Sequence, residues 1–181
     1  MERRYFRNLA VLLAAVLVVL SFASVGRALT VKDGEAAPDF EISKLEGGKA
    51  KLSSYKGKVV LLAFWASWCP RCLEELAFLQ GLYTGNKDKL TVLAINQDTK
   101  NLSETHLAKL KEMVAEIGVT FPILIDLDFD VWQRYGINAL PTSIIVDKDG
   151  KVLFAEPNYY WASQKKIKGI LAAQGIGKAE D

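Results

Sequence analysis

Two cysteines separated by two residues constrain this chain more than any other feature of its sequence. They are Cys69 and Cys72, both cysteines of the 181-residue chain, and they directly follow an apolar run at 59–68. Such a run suits a buried strand, and Pro70 suits the first turn of a helix. We therefore expect the dithiol where a strand ends and a helix begins, with Cys69 at the helix N-terminus.

A cysteine at a helix N-terminus is activated by its position. Unpaired backbone N–H groups and the positive end of the helix dipole favour the thiolate, which is the reactive form. Arg71 adds a positive charge, so we expect the pKa of Cys69 at roughly 5–7.5 instead of about 8.5. Thiol–disulfide exchange needs an attacking thiolate and a second thiol that resolves the mixed disulfide. The sequence predicts Cys69 as the exposed nucleophile and Cys72 as the shielded resolving cysteine, without a cofactor.

Two other uses of the cysteine pair stay open at this point. A structural disulfide that closes a four-residue loop would stabilise the fold by only about 2 kcal/mol. A structural zinc site needs about four ligands. The chain offers two cysteines and His106, which we place on the exposed face of its helix. We therefore prefer redox chemistry and expect no metal.

The first 28 residues are predicted to be a targeting segment. Arg3, Arg4 and Arg7 precede an apolar run of 17 residues at 9–25, and small residues end the segment. This pattern is typical of a secretory signal peptide, but the run is also at the short limit for crossing a bilayer. A cleaved signal peptide and an uncleaved membrane anchor are equal alternatives. Both place residues 29–181 in the periplasm or at another extracytoplasmic site, where disulfides persist.

The charge of the chain gives no indication of nucleic-acid binding. The formal net charge of +2 comes from arginines of the N-terminal segment, because residues 29–181 carry 19 basic and 20 acidic side chains. A nearly neutral domain lacks the basic surface that recognises a phosphate backbone.

The hydrophobic pattern predicts one α/β domain over residues 29–181. Central strands are apolar on both faces and alternate with amphipathic helices. Turn residues at 47–48 and 147–150 predict a hairpin near each end of the domain. This order implies a mixed central sheet with helices on both faces. The predicted strands are 37–42, 49–53, 59–66, 91–96, 121–125, 142–146 and 151–155, and the predicted helices begin at Pro70 and span 103–117, 129–135 and 163–173.

Glu75 and Pro141 are further candidates for the site. Glu75 lies three residues after Cys72 and shares its helix face. A partly buried carboxyl there can have a raised pKa and carry a proton to or from Cys72. From the residues alone, a solvated glutamate like Glu74 is the better interpretation. Pro141 directly precedes a predicted strand and is either a trans loop proline or a cis proline.

Aromatic residues near the motif have two interpretations. Trp68, beside Cys69, is expected to shape the surface that meets a partner. The loop cluster Tyr159, Tyr160 and Trp161 either packs under the last helix, which we favour, or forms an exposed patch for a partner.

Several motifs together resemble the thioredoxin superfamily. The resemblance covers about residues 36–173 and implies a thioredoxin fold with an N-terminal β-hairpin and an insertion before the cis-proline half. The superfamily motifs are Phe64–Cys72, Tyr135–Ile137 and Leu140–Thr142, and the segments Ala37–Phe40 and Asn101–Ile125 resemble the exported TlpA/ResA-like branch.

The resemblance also implies roles for individual residues. It implies Cys69 as the nucleophile, Cys72 as the resolving cysteine, and a cis bond before Pro141, which faces the dithiol. ResA-like proteins have a functional glutamate where this chain has Glu75. Thioredoxin has a buried aspartate where this chain has Ala63, which strengthens the glutamate as its substitute. The residues expected to contact the substrate are Trp68, Pro70, Arg71, Leu140 and Pro141.

The implied function is that of an extracytoplasmic thiol–disulfide oxidoreductase that reduces protein disulfides. The family suggests apocytochrome c as the substrate class and a membrane thiol–disulfide donor that restores the dithiol. Pro70–Arg71 matches neither the Gly-Pro of thioredoxin nor the Glu-Pro of ResA, so a disulfide oxidase or isomerase is the alternative. A peroxidase is less favoured, since Ala66 stands where a peroxiredoxin has a hydroxyl residue. A copper chaperone is less favoured because its Cys-x-x-x-Cys spacing is missing.

Overall fold

Two parallel strands without an exposed residue lie at the centre of a seven-stranded sheet. They are β3 (Val59–Trp65) and β4 (Leu90–Asn96). The structure is a computed structural model, and it describes residues 29–98 and 102–177. The remaining strands are β1 (Glu41–Lys44), β2 (Lys49–Lys51), β5 (Ile123–Ile125), β6 (Thr142–Val146) and β7 (Val152–Pro157).

The sheet is mixed, as the sequence predicts. The strand order is β2-β1-β5-β4-β3-β6-β7. Strands β3, β4 and β5 are parallel, whereas β6 is antiparallel to β3 and β7 to β6. The N-terminal hairpin of β1 and β2 adds to the edge strand β5 in antiparallel fashion. The carboxyl ends of β3 and β4 and the start of β6 therefore meet at one edge of the sheet.

Helices cover both faces of this sheet. On one face, α1 (Pro70–Thr84), α2 (Glu104–Ile117) and a C-terminal helix, α4 (Trp161–Ala173), share a core with the odd-numbered residues of β3. The short helix α3 (Asp130–Tyr135) packs on the other face, against Phe64 and its neighbours. Alternation of side chains along β3 supplies apolar groups to both cores, which is why this strand is apolar throughout.

The second strand of the N-terminal hairpin is shorter than predicted. The sequence predicts a strand over residues 49–53, but β2 ends at Lys51 and a 3-10 turn, Leu52–Tyr55, follows. The Asp39 carboxylate accepts a hydrogen bond from the Ser53 amide at 2.9 Å. The turn also places Leu52 in the core, so burial and this contact end the strand.

The first strand lies further along the chain than predicted: the sequence predicts residues 37–42, whereas β1 is Glu41–Lys44, because its pairing with β2 begins at Glu41. The remaining boundaries lie within about two residues of the predicted ones. Helix α4 begins at Trp161, two residues before the predicted start, and β7 extends to Pro157. The predicted targeting segment, residues 1–28 with its apolar run at 9–25, lies outside the described residues. Within residues 29–98 and 102–177, no helix has the length and apolar character that a membrane span requires.

Candidate active site

Both cysteines lie at the junction of β3 and α1, as predicted. Cys69 is the N-cap residue of α1, and its sulfur accepts a hydrogen bond from the Cys72 amide at 3.3 Å. The two cysteines are joined in a disulfide with an Sγ–Sγ distance of 2.11 Å. Cys69 is 8% exposed, whereas Cys72 is completely buried. Cys69 is therefore the more accessible of the two cysteines, and the backbone donor can stabilise negative charge on its sulfur.

Glu75 is a buried carboxyl one helical turn beyond Cys72. Its side chain is 0% exposed, and Oε1 accepts a hydrogen bond from the Ser143 hydroxyl. Oε2 has no hydrogen-bond partner among the described residues. Burial raises the pKa of Glu75 from an ordinary 4.5 to about 7, and the Ser143 hydrogen bond acts in the opposite direction. The carboxyl can therefore gain and lose a proton near neutral pH.

The position of Ser143 follows from the sheet. Ser143 pairs with Ala63 across β6 and β3, and Ala63 lies in the same core as Cys72. Ala63 occupies the position that the resemblance assigns to the buried aspartate of thioredoxin. The carboxyl group on this side of the sheet is thus supplied by α1, through Glu75, instead of by β3.

The Leu140–Pro141 peptide bond is cis, as the resemblance implies. Pro141 is buried and directly precedes β6. Its carbonyl oxygen accepts a hydrogen bond from the Asn158 amide at 2.7 Å. Because Thr142 pairs with Phe64, this loop lies at the carboxyl end of β3, the edge from which Cys69 projects.

A groove of about 1050 Å³ opens beside the dithiol, and we call it the dithiol groove. Trp68, Pro70, Arg71 and Leu140 line it, which brings most of the predicted substrate-contacting residues to one surface. Phe129 and Trp132 of the α3 region also line the groove and are not among the predicted site residues. The lining residues are Trp68, Cys69, Pro70, Arg71, Gln97, Phe129, Trp132, Gln133, Gly136, Ile137, Asn138, Ala139 and Leu140.

A polar network fixes the loop before Cys69, and sequence reasoning missed it. The Asp98 carboxylate accepts a hydrogen bond from the Ser67 amide at 2.6 Å, and its other oxygen lies 2.8 Å from Nε2 of His106. Asn96 donates to the same carboxylate at 3.2 Å. The Asp98 side chain is only 2% exposed. The network ties helix α2 to the segment that carries the dithiol.

The expectation that His106 lies on the exposed face of its helix is met only in part, because its ring is bound to the nearly buried Asp98. Its side chain is 36% exposed, and the ring faces Asp98. The Ser103 hydroxyl caps α2 by accepting a hydrogen bond from the His106 amide, which fixes the start of the helix so that the imidazole reaches the end of β4. Within residues 29–98 and 102–177, no group of three or more histidine, cysteine or acidic side chains is placed to hold a metal.

The aromatic cluster at 159–161 does not pack as one unit. Tyr159 is buried, lies 6.1 Å from the Phe78 ring between centroids, and accepts a hydrogen bond from Gln164. Burial, opposed by the Gln164 hydrogen bond, raises the pKa of Tyr159 to about 12, with a smaller contribution from the nearby Glu75. Tyr160 and Trp161 are exposed. The packing interpretation is correct for Tyr159 and wrong for the other two residues.

Comparison with known proteins agrees with this fold. The sequence model of the AhpC/TSA family matches residues 34–155. Thiol-disulfide oxidoreductase ResA of Bacillus thuringiensis subsp. konkukian is 39% identical over 121 residues, which span 66% of this chain and 66% of that protein. ResA of Geobacillus thermodenitrificans is 35% identical over 147 residues, which span 78% of this chain and 81% of that protein. A solved structure described as a putative thiol:disulfide interchange protein DsbE from Chlorobium tepidum has a TM-score of 0.69 at 30% identity, and the match covers 82% of this chain and all of that one.

The fold and the Cys-x-x-Cys pair define the class of protein as the thioredoxin-fold proteins with paired cysteines at the start of a helix. Within this class, the chain belongs to the AhpC/TSA family, and the ResA proteins are its relatives. The aligned region covers 66% of the Bacillus relative, slightly less than two thirds of its length.

Proposed function

We propose that the protein is an extracytoplasmic thiol–disulfide oxidoreductase that reduces protein disulfides. The observation that carries this proposal is the pairing of the Cys69–Cys72 disulfide with Glu75, a fully buried carboxyl on the same face of α1. A structural disulfide needs neither a helix N-terminus at the outer sulfur nor a proton acceptor near the inner one. An exchange centre needs both.

Reduction begins at Cys69, the more exposed sulfur. The Cys69 thiolate attacks one sulfur of the target disulfide, forms an intermolecular disulfide and releases the other target sulfur as a thiolate. The backbone amide of Cys72 points at the Cys69 sulfur, so it stabilises the attacking thiolate. Trp68, Pro70, Arg71, Leu140 and Pro141 would contact the target on the surface around this sulfur.

Resolution requires that the buried Cys72 lose a proton. Residues three apart on a helix lie roughly 5–6 Å apart at Cβ, so Glu75 is close enough to act directly or through one water. Its free oxygen, Oε2, accepts the proton. The Cys72 thiolate then attacks the Cys69 sulfur, restores the internal disulfide and expels the second target thiolate. Two electrons have passed from the dithiol to the target.

The cycle is completed outside the cytoplasm by a second exchange. A thiol–disulfide donor in the membrane reduces the Cys69–Cys72 disulfide and is itself oxidised to a disulfide, and the proton held by Glu75 returns to the Cys72 thiolate. Residues 1–28 would export the domain, with their apolar run at 9–25 serving as a signal peptide or an anchor. Apocytochrome c, whose cysteines must be reduced before haem attachment, is the target class that we propose.

A trapping experiment tests this mechanism. The full-length chain with Cys72→Ser keeps the attacking thiol but lacks the resolving one, so it should accumulate mixed disulfides through Cys69 in cells that express it. The Cys69→Ser protein is the matched control and should trap far less. Non-reducing gels and mass spectrometry identify the adducts. Equal trapping by both variants, or none by Cys72→Ser, would contradict the mechanism.

The reduction potential tests the proposed direction of electron flow. A value near that of thioredoxin, about −270 mV, supports a reductant, whereas one near that of the oxidant DsbA, about −120 mV, supports the oxidase alternative. Equilibration of the full-length protein with glutathione or dithiothreitol buffers measures it. Arg71, exposed beside Cys69, is the residue that most favours the oxidase, because a stabilised thiolate makes a disulfide easier to reduce.

A further inference from the structure

An exposed aromatic surface adjoins the dithiol groove, and the mechanism above uses only part of it. We call this surface the aromatic shelf, and it consists of Trp68, Arg71, Tyr160 and Trp161. Trp68 is 68% exposed, Tyr160 47% and Trp161 82%. Within residues 29–98 and 102–177, the large apolar side chains that stand exposed are these three and Leu127. Exposed aromatic groups are therefore concentrated beside the reactive sulfur.

The end of β7 places Tyr160 and Trp161 at the dithiol edge of the sheet. Pro157, the last residue of β7, pairs with Thr142, the residue that follows the cis-proline. Tyr159 then turns inward onto Phe78, so the next two side chains point outward. The Tyr160 amide donates a hydrogen bond to the Ser163 hydroxyl at 3.1 Å, which fixes the start of α4.

Arg71 joins the shelf to the dithiol groove. Its guanidinium carbon lies 6.0 Å from the centre of the Tyr160 ring, a distance at which a cation and an aromatic ring attract each other. Arg71 and Trp68 also line the groove. The two surfaces are therefore continuous, and a chain lying over Cys69 can extend from one onto the other.

Exposed tryptophan and tyrosine side chains are poorly explained by packing. Single exposed apolar residues are common, whereas several grouped beside a site are typical of a surface that meets a partner. Tryptophan and tyrosine are also the residues that contribute most to binding at protein interfaces, because they bury a large area at low entropic cost.

We propose that the aromatic shelf binds the polypeptide of the protein substrate, taking an apolar or aromatic side chain that lies a few residues from the target cysteine. This inference rests on the proposed function, because it assumes that a disulfide of a polypeptide reacts at Cys69. An extended chain advances about 3.3 Å per residue, so a side chain two to four residues from the target cysteine reaches Tyr160 and Trp161. Arg71 makes a basic residue unfavourable at that position.

The test compares substrates with and without the apolar side chain. Two synthetic peptides carry the same intramolecular disulfide and differ only in having tryptophan or serine three residues from one cysteine. Hydroxyethyl disulfide, which has no side chains, is the third probe. The pre-reduced full-length protein is mixed with each probe, and the half-saturating concentration and the limiting rate are measured in a single turnover.

We expect the shelf to affect binding and not chemistry. Trp161→Ala and the double variant Tyr160→Ala/Trp161→Ala should raise the half-saturating concentration for the tryptophan peptide about tenfold. The limiting rate with the tryptophan peptide should change by less than about twofold. Both measured quantities should also change by less than about twofold with the serine peptide and with hydroxyethyl disulfide. Alanine at these positions keeps the hydrogen bond from the backbone amide of residue 160 to the Ser163 hydroxyl. Tyr83→Leu is the matched control, since it removes an aromatic ring roughly 20 Å from Cys69 along α1.

Each other outcome has a defined meaning. Equal behaviour of the wild type and the shelf variants towards the tryptophan peptide would overturn the inference. An equal rise in the half-saturating concentration for both peptides would also overturn it. So would a wild-type protein that is a dimer and shelf variants that are monomers with unchanged peptide binding. Failure of the wild-type protein to reduce even hydroxyethyl disulfide would instead refute the proposed function, and the inference with it.

Discussion

The Ser143 hydroxyl donates a hydrogen bond to the Glu75 carboxylate across the core of the protein. Ser143 comes from β6, two residues after the cis-proline, and Glu75 comes from α1, three residues after the inner cysteine. The two segments that surround the dithiol are therefore joined by one buried polar contact. Among residues 29–98 and 102–177, Oε2 of Glu75 has no hydrogen-bond partner, so the Ser143 contact controls how readily Glu75 ionises.

Removing the Ser143 hydroxyl should make Glu75 harder to ionise. The hydrogen bond favours the carboxylate, so Ser143→Ala should raise the pKa of Glu75 further above about 7. A hydrogen bond to a charged group is worth about 1.5–3 kcal/mol, which corresponds to a rise of about one to two pH units. The pH profile of mixed-disulfide resolution should move upward accordingly. Ser143→Thr keeps the hydroxyl and should restore the wild-type profile; identical profiles for all three proteins would contradict the assignment.

Glu75 should make the protein less stable as the pH rises towards neutrality. Between its ordinary pKa of 4.5 and its folded value of about 7, the unfolded chain ionises this carboxyl and the folded protein does not. The free energy of unfolding should therefore fall across this window by about 3 kcal/mol, since each pH unit is worth about 1.4 kcal/mol. Urea unfolding of the oxidised protein at several pH values measures the slope.

Two substitutions isolate this effect. Glu75→Gln cannot ionise and should remove most of the fall between pH 4.5 and 7. Glu74→Gln changes the exposed neighbour and should leave the slope as it is. Glu75→Gln should also slow the release of the target from Cys69, because Cys72 then lacks its proton acceptor. A wild-type slope in Glu75→Gln would show that other groups cause the pH dependence.

The local parts of the site could be predicted from the sequence. The apolar run and Pro70 determine the junction of β3 and α1, so the dithiol lies where the pattern places it. The three-residue spacing also places Glu75 on the face of Cys72. The depth of its burial could not be predicted from this spacing, because it depends on Ser143, which is 68 residues away. From the residues alone a solvated glutamate is the better interpretation, whereas in the structure Glu75 is buried and bound to Ser143 of β6.

The parts that were missed depend on contacts between distant segments. Asp98 follows β4 by two residues, as Ser67 follows β3, and the parallel pairing of the strands brings the two together. A polar residue just after a buried parallel strand is a signal in the sequence for such a contact, because sites in sheets of this kind lie at the carboxyl ends of the strands. Tyr160 and Trp161 point outward because Tyr159 fills the inner site, and the sequence alone does not show which member of the cluster does so.

Arg71 should raise the reactivity of Cys69 by its charge. Replacing it by alanine removes a cation that lines the same groove as Cys69, so the midpoint of the pH profile for Cys69 alkylation should move to higher pH. Arg71→Lys keeps the charge and should stay close to the wild type, although it loses part of the contact with Tyr160. Iodoacetamide labelling of the reduced protein, followed by mass spectrometry, gives the profile. An equal shift in both variants would indicate that the shape of the guanidinium, and not its charge, is responsible.

The Asp98–His106 pair should stabilise the loop that carries the dithiol. Asp98→Ala leaves the Ser67 amide without its acceptor, so we expect a loss of about 1–3 kcal/mol in the free energy of unfolding. His106→Ala should cost less, about 0.2–1 kcal/mol, because the imidazole is partly exposed. The double variant measures the coupling between the two side chains. His106 is the single histidine of the chain, so its NMR signals should shift in Asp98→Ala and stay unchanged in Asp33→Ala, a remote and exposed control; strictly additive losses with unshifted signals would contradict the pairing.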